Sequence, residues 1–408
     1  MKFEKIYLYA LIFMVSFWIP LPKISSPAIA VFGLLVIYGS WKQKLRFQFN
    51  WILFAFFTLY LWYVLYCIPS NHMDKAMEYL EYKLSFLIFP VLFSFRPTFS
   101  IERKGILTSF VMACVVLSLF YVGQASFHYL QSRDVSCFQS SAFATNHHPS
   151  YVAAFLSFSI YILIQALRNE NDRKKKLLYF GIIAFFTLLH FPLTSLAGIL
   201  LLFFLYAFLF IKWAWMKWNK WQFGSMIIAG MIAIQLVFLM QPSLKRNITF
   251  TAELAYNYLQ SPSAFIKSRP EIMSGNQARL VIWTITGQLI SEHPMGVGLG
   301  NLEEEMQRKL ADLHQHELME KNYNPHNQFL QITAEIGVFG LLLFASILWF
   351  TCRFAWKRKD DLLLFLVLSL VLNSLFESML QRQSGIVFYT MLICLFVQIL
   401  PIHKLKEA

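Results

Sequence analysis

The sequence predicts an all-α, polytopic helical membrane protein of about twelve transmembrane helices, and three observations carry that reading. Of the 408 residues, 57% are hydrophobic and only 14% charged, against about 25% charged in an ordinary soluble domain. Apolar runs of spanning length recur along the chain; a span takes roughly 20 residues, so twelve would occupy roughly 240. Lys and Arg are concentrated in alternate connections between those runs. The 42 Phe, 18 Tyr and 11 Trp add to the first point, because a soluble chain of this make-up would expose large apolar patches and precipitate.

The first run covers about 6–22, after Lys2 and Lys5, and is followed by Ala28-Ile29-Ala30. That pattern imitates a cleaved signal. The triplet lies inside a second apolar run at about 25–40, so both are read as uncleaved spans. Further runs stand at about 51–68, 84–95, 105–128, 149–167, 178–191, 195–211, 223–241, 326–350, 362–378 and 384–402. Only His190 to Thr194 separates the seventh from the eighth, which leaves a re-entrant pair as an alternative there.

The net charge of +13 invites a nucleic-acid partner until its placement is considered. Lys42 to Arg46, Arg96 to Lys104, Arg168 to Lys176, Lys212 to Lys220, Arg353 to Lys359 and the Lys404/Lys406 tail hold most of the 35 Lys and Arg. That is the excess expected of cytoplasmic loops, and it puts both termini in the cytoplasm. No nucleic acid is implied. The five cysteines lack any CxxC pair. Cys67 and Cys137 are the two read as facing outward, and a disulfide between them is not favoured.

Residues 242–325 break the economy of short loops, with 84 residues on the non-cytoplasmic side. Loops of this length are usually functional. The chain is therefore read as helices 1–9 over 1–241, a loop domain over 242–325, and helices 10–12 with a cytoplasmic tail over 326–408. Within the loop, Gln277 to Glu292 has the period of an amphipathic helix, with Leu280 and Trp283 on the apolar face. Pro294 to Gly300 breaks the chain, and Asn301 with Glu304 reads as a capping box. The helix it would open runs to about Lys321, with Leu302, Met306, Leu310 and Leu313 as one apolar stripe.

His326 leads the residues that could carry chemistry. It follows Asn324-Pro325 at the mouth of the tenth span, where water meets the bilayer. A histidine there can act as a general base, or merely anchor a helix. Arg279, four residues before Trp283, carries a fork suited to phosphate oxygens, or is a solvated helix-face charge. Arg246, Lys245, Lys267 and Arg269 could add to a cationic surface. Gly296, Gly298 and Gly300 lack the preceding strand and following lysine of a phosphate cradle and read as a turn. Gly337 and Gly340 read as packing positions on a span. Glu377 and Arg382 flank the outer end of the eleventh span as a functional or a structural ion pair. His147 and His148 lack the further ligands a zinc site requires. No metal or cofactor is expected.

Three segments together resemble the O-antigen ligase and polymerase superfamily of bacterial envelope glycosyltransferases: Arg279 to Trp283 with Pro294 to Gly298; His326-Asn327 with Leu330, Glu335, Gly337 and Gly340; and Glu377 to Gly385. The resemblance covers roughly residues 180–400, and the His-Asn segment is its most specific part. It implies a metal-independent transferase of the inner membrane with its active site in the periplasm. The donor would be a glycan on undecaprenyl diphosphate and the acceptor the lipid A–core oligosaccharide. By that resemblance Arg279 matches a donor-diphosphate ligand and His326 the residue serving the acceptor hydroxyl, with Asn327 and Glu377 in support. One departure stands out. The family often has an arginine where this chain has Leu196, in Thr194-Ser195-Leu196-Ala197-Gly198; Arg246 or Arg382 could take its place.

The ligase branch is favoured. A polymerase extending the glycan on its carrier is the nearest alternative, followed by a protein O-glycosyltransferase. A transporter would gather ionisable groups near mid-membrane on discontinuous helices; here they gather at span ends and in one loop.

Overall fold

The computed structural model describes residues 3–217, 253, 256–262, 275–320 and 323–400, with the side chains of 215–217 and 275–277 excepted. The ninth predicted span, Lys245, Arg246, Lys267, Arg269 and the Lys404/Lys406 tail lie outside the described residues.

The described chain is almost entirely helical. In order come α1 (Phe3–Ser16), α2 (Ser25–Trp41), α3 (Trp51–Leu65), α4 (Met73–Lys83), α5 (Ser85–Ser94), α6 (Arg103–Ser132), α7 (Ser140–Phe143), α8 (Pro149–Asn169), α9 (Arg173–Leu189) and α10 (Leu196–Lys217). Then follow α11 (Gly275–Glu292), α12 (Leu302–Asp312), α13 (His316–Glu320), α14 (Gln328–Arg358), α15 (Asp361–Ser374) and α16 (Gln383–Cys394), the last continued by a π-helical turn at Leu395–Ile399. A helix stands at every predicted apolar run within the described residues. Five, Pro22–Trp41, Arg103–Ser132, Pro149–Asn169, Leu196–Ala214 and Gln328–Arg358, are long and apolar enough to cross a membrane. Local chemistry sets several starts. The Asn50, Asp172 and Asp360 carboxyl or amide oxygens accept from backbone N–H groups in the first turns of α3, α9 and α15, and Pro149 opens α8.

Among the described residues, α4 and a small sheet were not foreseen. The fourth predicted span is the ten-residue α5, with Pro90 inside it, and before it stands the polar, amphipathic α4. A two-stranded antiparallel sheet pairs β1 (Leu45–Phe47) with β2 (Phe95–Pro97) in the register Leu45↔Pro97. All five cysteines are free thiols.

The chain divides into two compact units. One holds residues 1–202, 293–302 and 326–408; the other holds 203–292 and 303–325. In the first, α8 is buried at every residue from Pro149 to Leu163, and α16 is buried from Gly385 onward.

The loops of this first unit sort into two sets at opposite ends of the helices. At the end marked by the C-terminus of α14, the small sheet joins the connections after α2 and α5, and Asn50 and Gln398 share a hydrogen bond of 3.1 Å. There Arg103 grips Asp360 through both guanidinium arms, at 2.8 and 2.9 Å, and lies over the Phe396 ring. Three lysine- and arginine-rich connections thus share one end, as the alternation of charge requires. Asp360 is 2% exposed, so Arg103→Ala would strand a buried carboxylate. It is expected to cost about 3 kcal/mol in denaturant unfolding in micelles, and Arg103→Ala/Asp360→Asn is expected to recover most of that.

At the other end, His147 joins three strands of the chain. Its Nε2 donates to the Ile19 carbonyl and its Nδ1 accepts from the Ser384 hydroxyl, both at 2.7 Å. Burial pushes its pKa down to about 4, from an ordinary value near 6.5. The neutral ring belongs to the fold, so its contribution is complete above about pH 6.5 and is lost as pH falls toward 4. The melting-temperature gap between wild type and His147→Gln is expected to narrow between pH 7 and pH 5. A gap that does not change with pH would refute the assignment.

Candidate active site

At that same end the chain enters α14 through Pro325-His326-Asn327. Asn327 is the N-cap, its Oδ1 accepting from the backbone N–H groups of Phe329 and Leu330 at 3.0 and 3.1 Å. Its amide Nδ2 donates to the Leu375 carbonyl at the end of α15. The cap leaves His326 immediately outside the helix, in the left-handed region at φ 45°. Left-handed backbone is uncommon for a residue with a Cβ, and histidine is among those that adopt it most readily. The His326 Nδ1 lies 3.0 Å from Glu377 Oε2, with the histidine 23% and the glutamate 13% exposed. A carboxylate beside Nδ1 orients the ring and favours the Nδ1–H tautomer of a neutral imidazole, which would leave the lone pair on Nε2. The sequence had paired Glu377 with Arg382; the structure gives Glu377 to His326.

Arg382 ends the same 377–382 connection. It precedes the first turn of α16, where its carbonyl accepts from Gly385 and Ile386, and its side chain is exposed. Gly385 is where the connection crosses α16. A Cβ there would lie 1.9 Å from the Met379 carbonyl oxygen, so only glycine lets the two segments approach so closely.

The glycine turn is a structural seam. Inside α14, Ile336 and Gly337 leave the helical region, with Gly337 at φ 75° and ψ 179°, and the freed backbone groups find partners in the Pro294–Gly298 segment. Val297 and Gly298 donate to the carbonyls of Ala334 and Glu335, and Val338 donates to that of Pro294. Trp62 Nε1 donates to the Ile336 carbonyl at 3.0 Å. Gly296 has φ 86°, and a Cβ on it would lie 2.6 Å from the Gly337 nitrogen. The break is thus closed by the chain's own backbone, in contrast to the ion-binding broken helices of transporters. Gly337 is structural, as expected, but through this break and not through helix packing.

Asn301 also departs from expectation. Its side chain is spent on Asn71 N, Ser70 Oγ and the Val297 carbonyl, which fastens the turn to the connection after α3. Leu196 lies at the exposed first turn of α10 and offers nothing to a phosphate.

Sequence reasoning missed a set of groups beneath the 377–382 connection. Lys83, the last residue of α4, is fully buried and donates from Nζ to the Leu380 carbonyl and to Gln381 Oε1, both at 2.6 Å. Gln328 Oε1 accepts from Leu380 N at 2.6 Å. Gln381 Nε2 donates to Glu335, at 3.2 and 3.1 Å from its two oxygens. One signal could have found Lys83: it falls in register with Ala76 and Leu80, on the buried face of an amphipathic helix.

In the second unit, α11 buries Ala278, Val281, Ile282, Ile285 and Leu289, one stripe at helical spacing. Leu280 and Trp283, expected on that face, lie at its margin. Arg279 is half-buried on the flank of the stripe. Trp283 Nε1 donates to the Pro325 carbonyl at 2.8 Å, which ties α11 to the last residue before His326. The charged helix stops at Asp312 rather than near Lys321, with α13 after it. Met306 and Leu310 of its stripe are buried.

A family model described as O-antigen ligase matches residues 178–345. The matched stretch includes Arg279, the glycine turn, His326, Asn327 and Glu335, and it supports the superfamily that the sequence resembles. Comparison with curated proteins finds no match.

Proposed function

We propose that this membrane protein, whose residues 178–345 match an O-antigen ligase family model, is a glycosyltransferase that moves a polysaccharide from undecaprenyl diphosphate to lipid A–core on the periplasmic face of the bacterial inner membrane. The observation that carries the reading is the His326–Glu377 pair, a histidine held by a carboxylate at the mouth of a spanning helix. Nε2 of His326 would take the proton of the acceptor hydroxyl as that oxygen attacks the anomeric carbon. The bond from that carbon to the diphosphate oxygen breaks, and the lipid diphosphate leaves as an anion. Arg279 would neutralise that developing charge, a role a guanidinium fork can fill without a metal. Arg382, exposed on the connection that bears Glu377, is a further candidate contact, and Arg246 is another. The partners this chemistry calls for are the glycan on its lipid diphosphate carrier, the lipid A–core acceptor and the membrane lipids around them.

Lipopolysaccharide from a deletion strain tests the reading. Loss of the long-chain ladder with intact core and accumulated lipid-linked polymer is expected, with wild type restoring the ladder. Core bearing a single repeat would instead identify the polymerase of the same superfamily. An unchanged pattern would remove the envelope-polysaccharide reading.

A further inference from the structure

Lys83 and Glu335 are both buried, and neither touches the candidate base. Lys83 is 0% and Glu335 2% exposed, and the Gln381 side chain lies between them. Its oxygen accepts from the lysine and its nitrogen donates to the carboxylate. An amide has one acceptor end and one donor end, so this fit asks for a donor on the Lys83 side and an acceptor on the Glu335 side, the complement that an ammonium and a carboxylate supply. Gln331 Nε2 supplies Glu335 with another bond at 2.6 Å. Buried charges are a costly way to fasten two segments, since apolar residues of similar volume often do so as well or better. What charges add is register: a slip of one residue in the 377–382 connection would face the wrong group.

We infer that Lys83, Gln381 and Glu335 form a buried clamp that sets the register of residues 377–382 and thereby holds the Glu377 carboxylate against His326. They are positioning residues. The connection is gripped at Leu380 N, Leu380 O and the Gln381 side chain. Two of the gripping residues, Gln328 and Glu335, belong to α14, the helix whose cap places His326. Base and orienting carboxylate are therefore referenced to one helix. This inference rests on the proposed role of His326, but its first readout does not require transfer.

The test uses the full chain in lipid nanodiscs, labelled with ¹⁵N-histidine, at a pH above the imidazole range. The His326 resonances are assigned by their loss in His326→Ala. Wild type is expected to show the Nδ1–H tautomer, and Glu377→Ala to lose it. Lys83→Met and Glu335→Gln are expected to lose it as well, at unchanged helicity. Lys83→Met/Glu335→Gln, which removes both charges together, is the variant to read if a single replacement fails to fold. Retention of the wild-type tautomer in any folded variant overturns the clamp. In a transfer assay the folded variants are expected to lose roughly 10- to 100-fold in kcat with KM for the lipid-linked donor unchanged. An unaltered kcat would equally overturn it. Absence of transfer by wild type would refute the functional reading while the tautomer result still decides the clamp.

Discussion

Replacing His326 with alanine is expected to lower kcat for glycan transfer by about 10²–10⁴-fold, the range of a lost general base. The loss should appear in kcat, with the KM for the lipid-linked donor little changed, because the imidazole acts on the acceptor proton. Folding should survive. The side chain is partly exposed, and the capping of α14 belongs to Asn327. Nor does alanine escape the left-handed backbone that histidine already tolerates at 326, so no new strain is created. The companion variant sharpens the result. If Glu377 works through His326, His326→Ala/Glu377→Ala should be no slower than His326→Ala alone, since residues acting as a unit are non-additive. Initial rates with purified donor and acceptor in nanodiscs check both statements; near-normal rates for His326→Ala would end its assignment as base.

Arg279→Ala is expected to cost about 10²–10³-fold in kcat/KM, the loss typical when one preorganised partner of a developing anion is removed. A charge pair 4 Å apart is worth roughly 4 kcal/mol at an effective dielectric of about 20 before desolvation is subtracted, so one arginine can account for an effect of that size. Arg279→Lys should recover only part of it, because lysine keeps the charge and loses the fork. The stripe that packs α11, from Ala278 to Leu289, is left intact by either change. A loss of activity that tracked a loss of helicity would instead assign the arginine to the fold. Competition with a lipid diphosphate lacking the glycan provides the check: wild type should be inhibited far more strongly than Arg279→Ala.

The helices were legible because apolar length is a local property. α6, α8 and α14 stand where unbroken apolar runs stand, and charged turns mark their ends. α4 was not legible, since Met73 to Lys83 is polar on average and only its buried side, Ala76, Leu80 and Lys83, betrays it. The three-residue strands escaped for another reason: each exists only through the other, about fifty residues away. Asn301 shows how a local rule loses to tertiary demand. Its spacing to Glu304 fits a capping box, yet its side chain is worth more holding Asn71 and Val297.

The candidate site divides in the same way. His326 and Asn327 are adjacent, follow a proline and open an apolar run, so sequence could single them out. The pairing of His326 with Glu377 spans 51 positions and that of Lys83 with Leu380 spans 297, distances over which no spacing rule operates. Arg279 could be named from its neighbours alone.

The interrupted course of α14 bears on how the chain is made. Gly337 lies nine residues beyond the start of the helix, roughly 13 Å along it, a depth at which, with α14 as a spanning helix, bare carbonyls would meet hydrocarbon and no water. Their partners in Pro294 to Gly298 leave the ribosome first. On the topology proposed above, that segment is already across when α14 enters the bilayer, ready to receive the broken helix as it arrives. Translation order thus supplies the Pro294–Gly298 template before the helix whose break it closes.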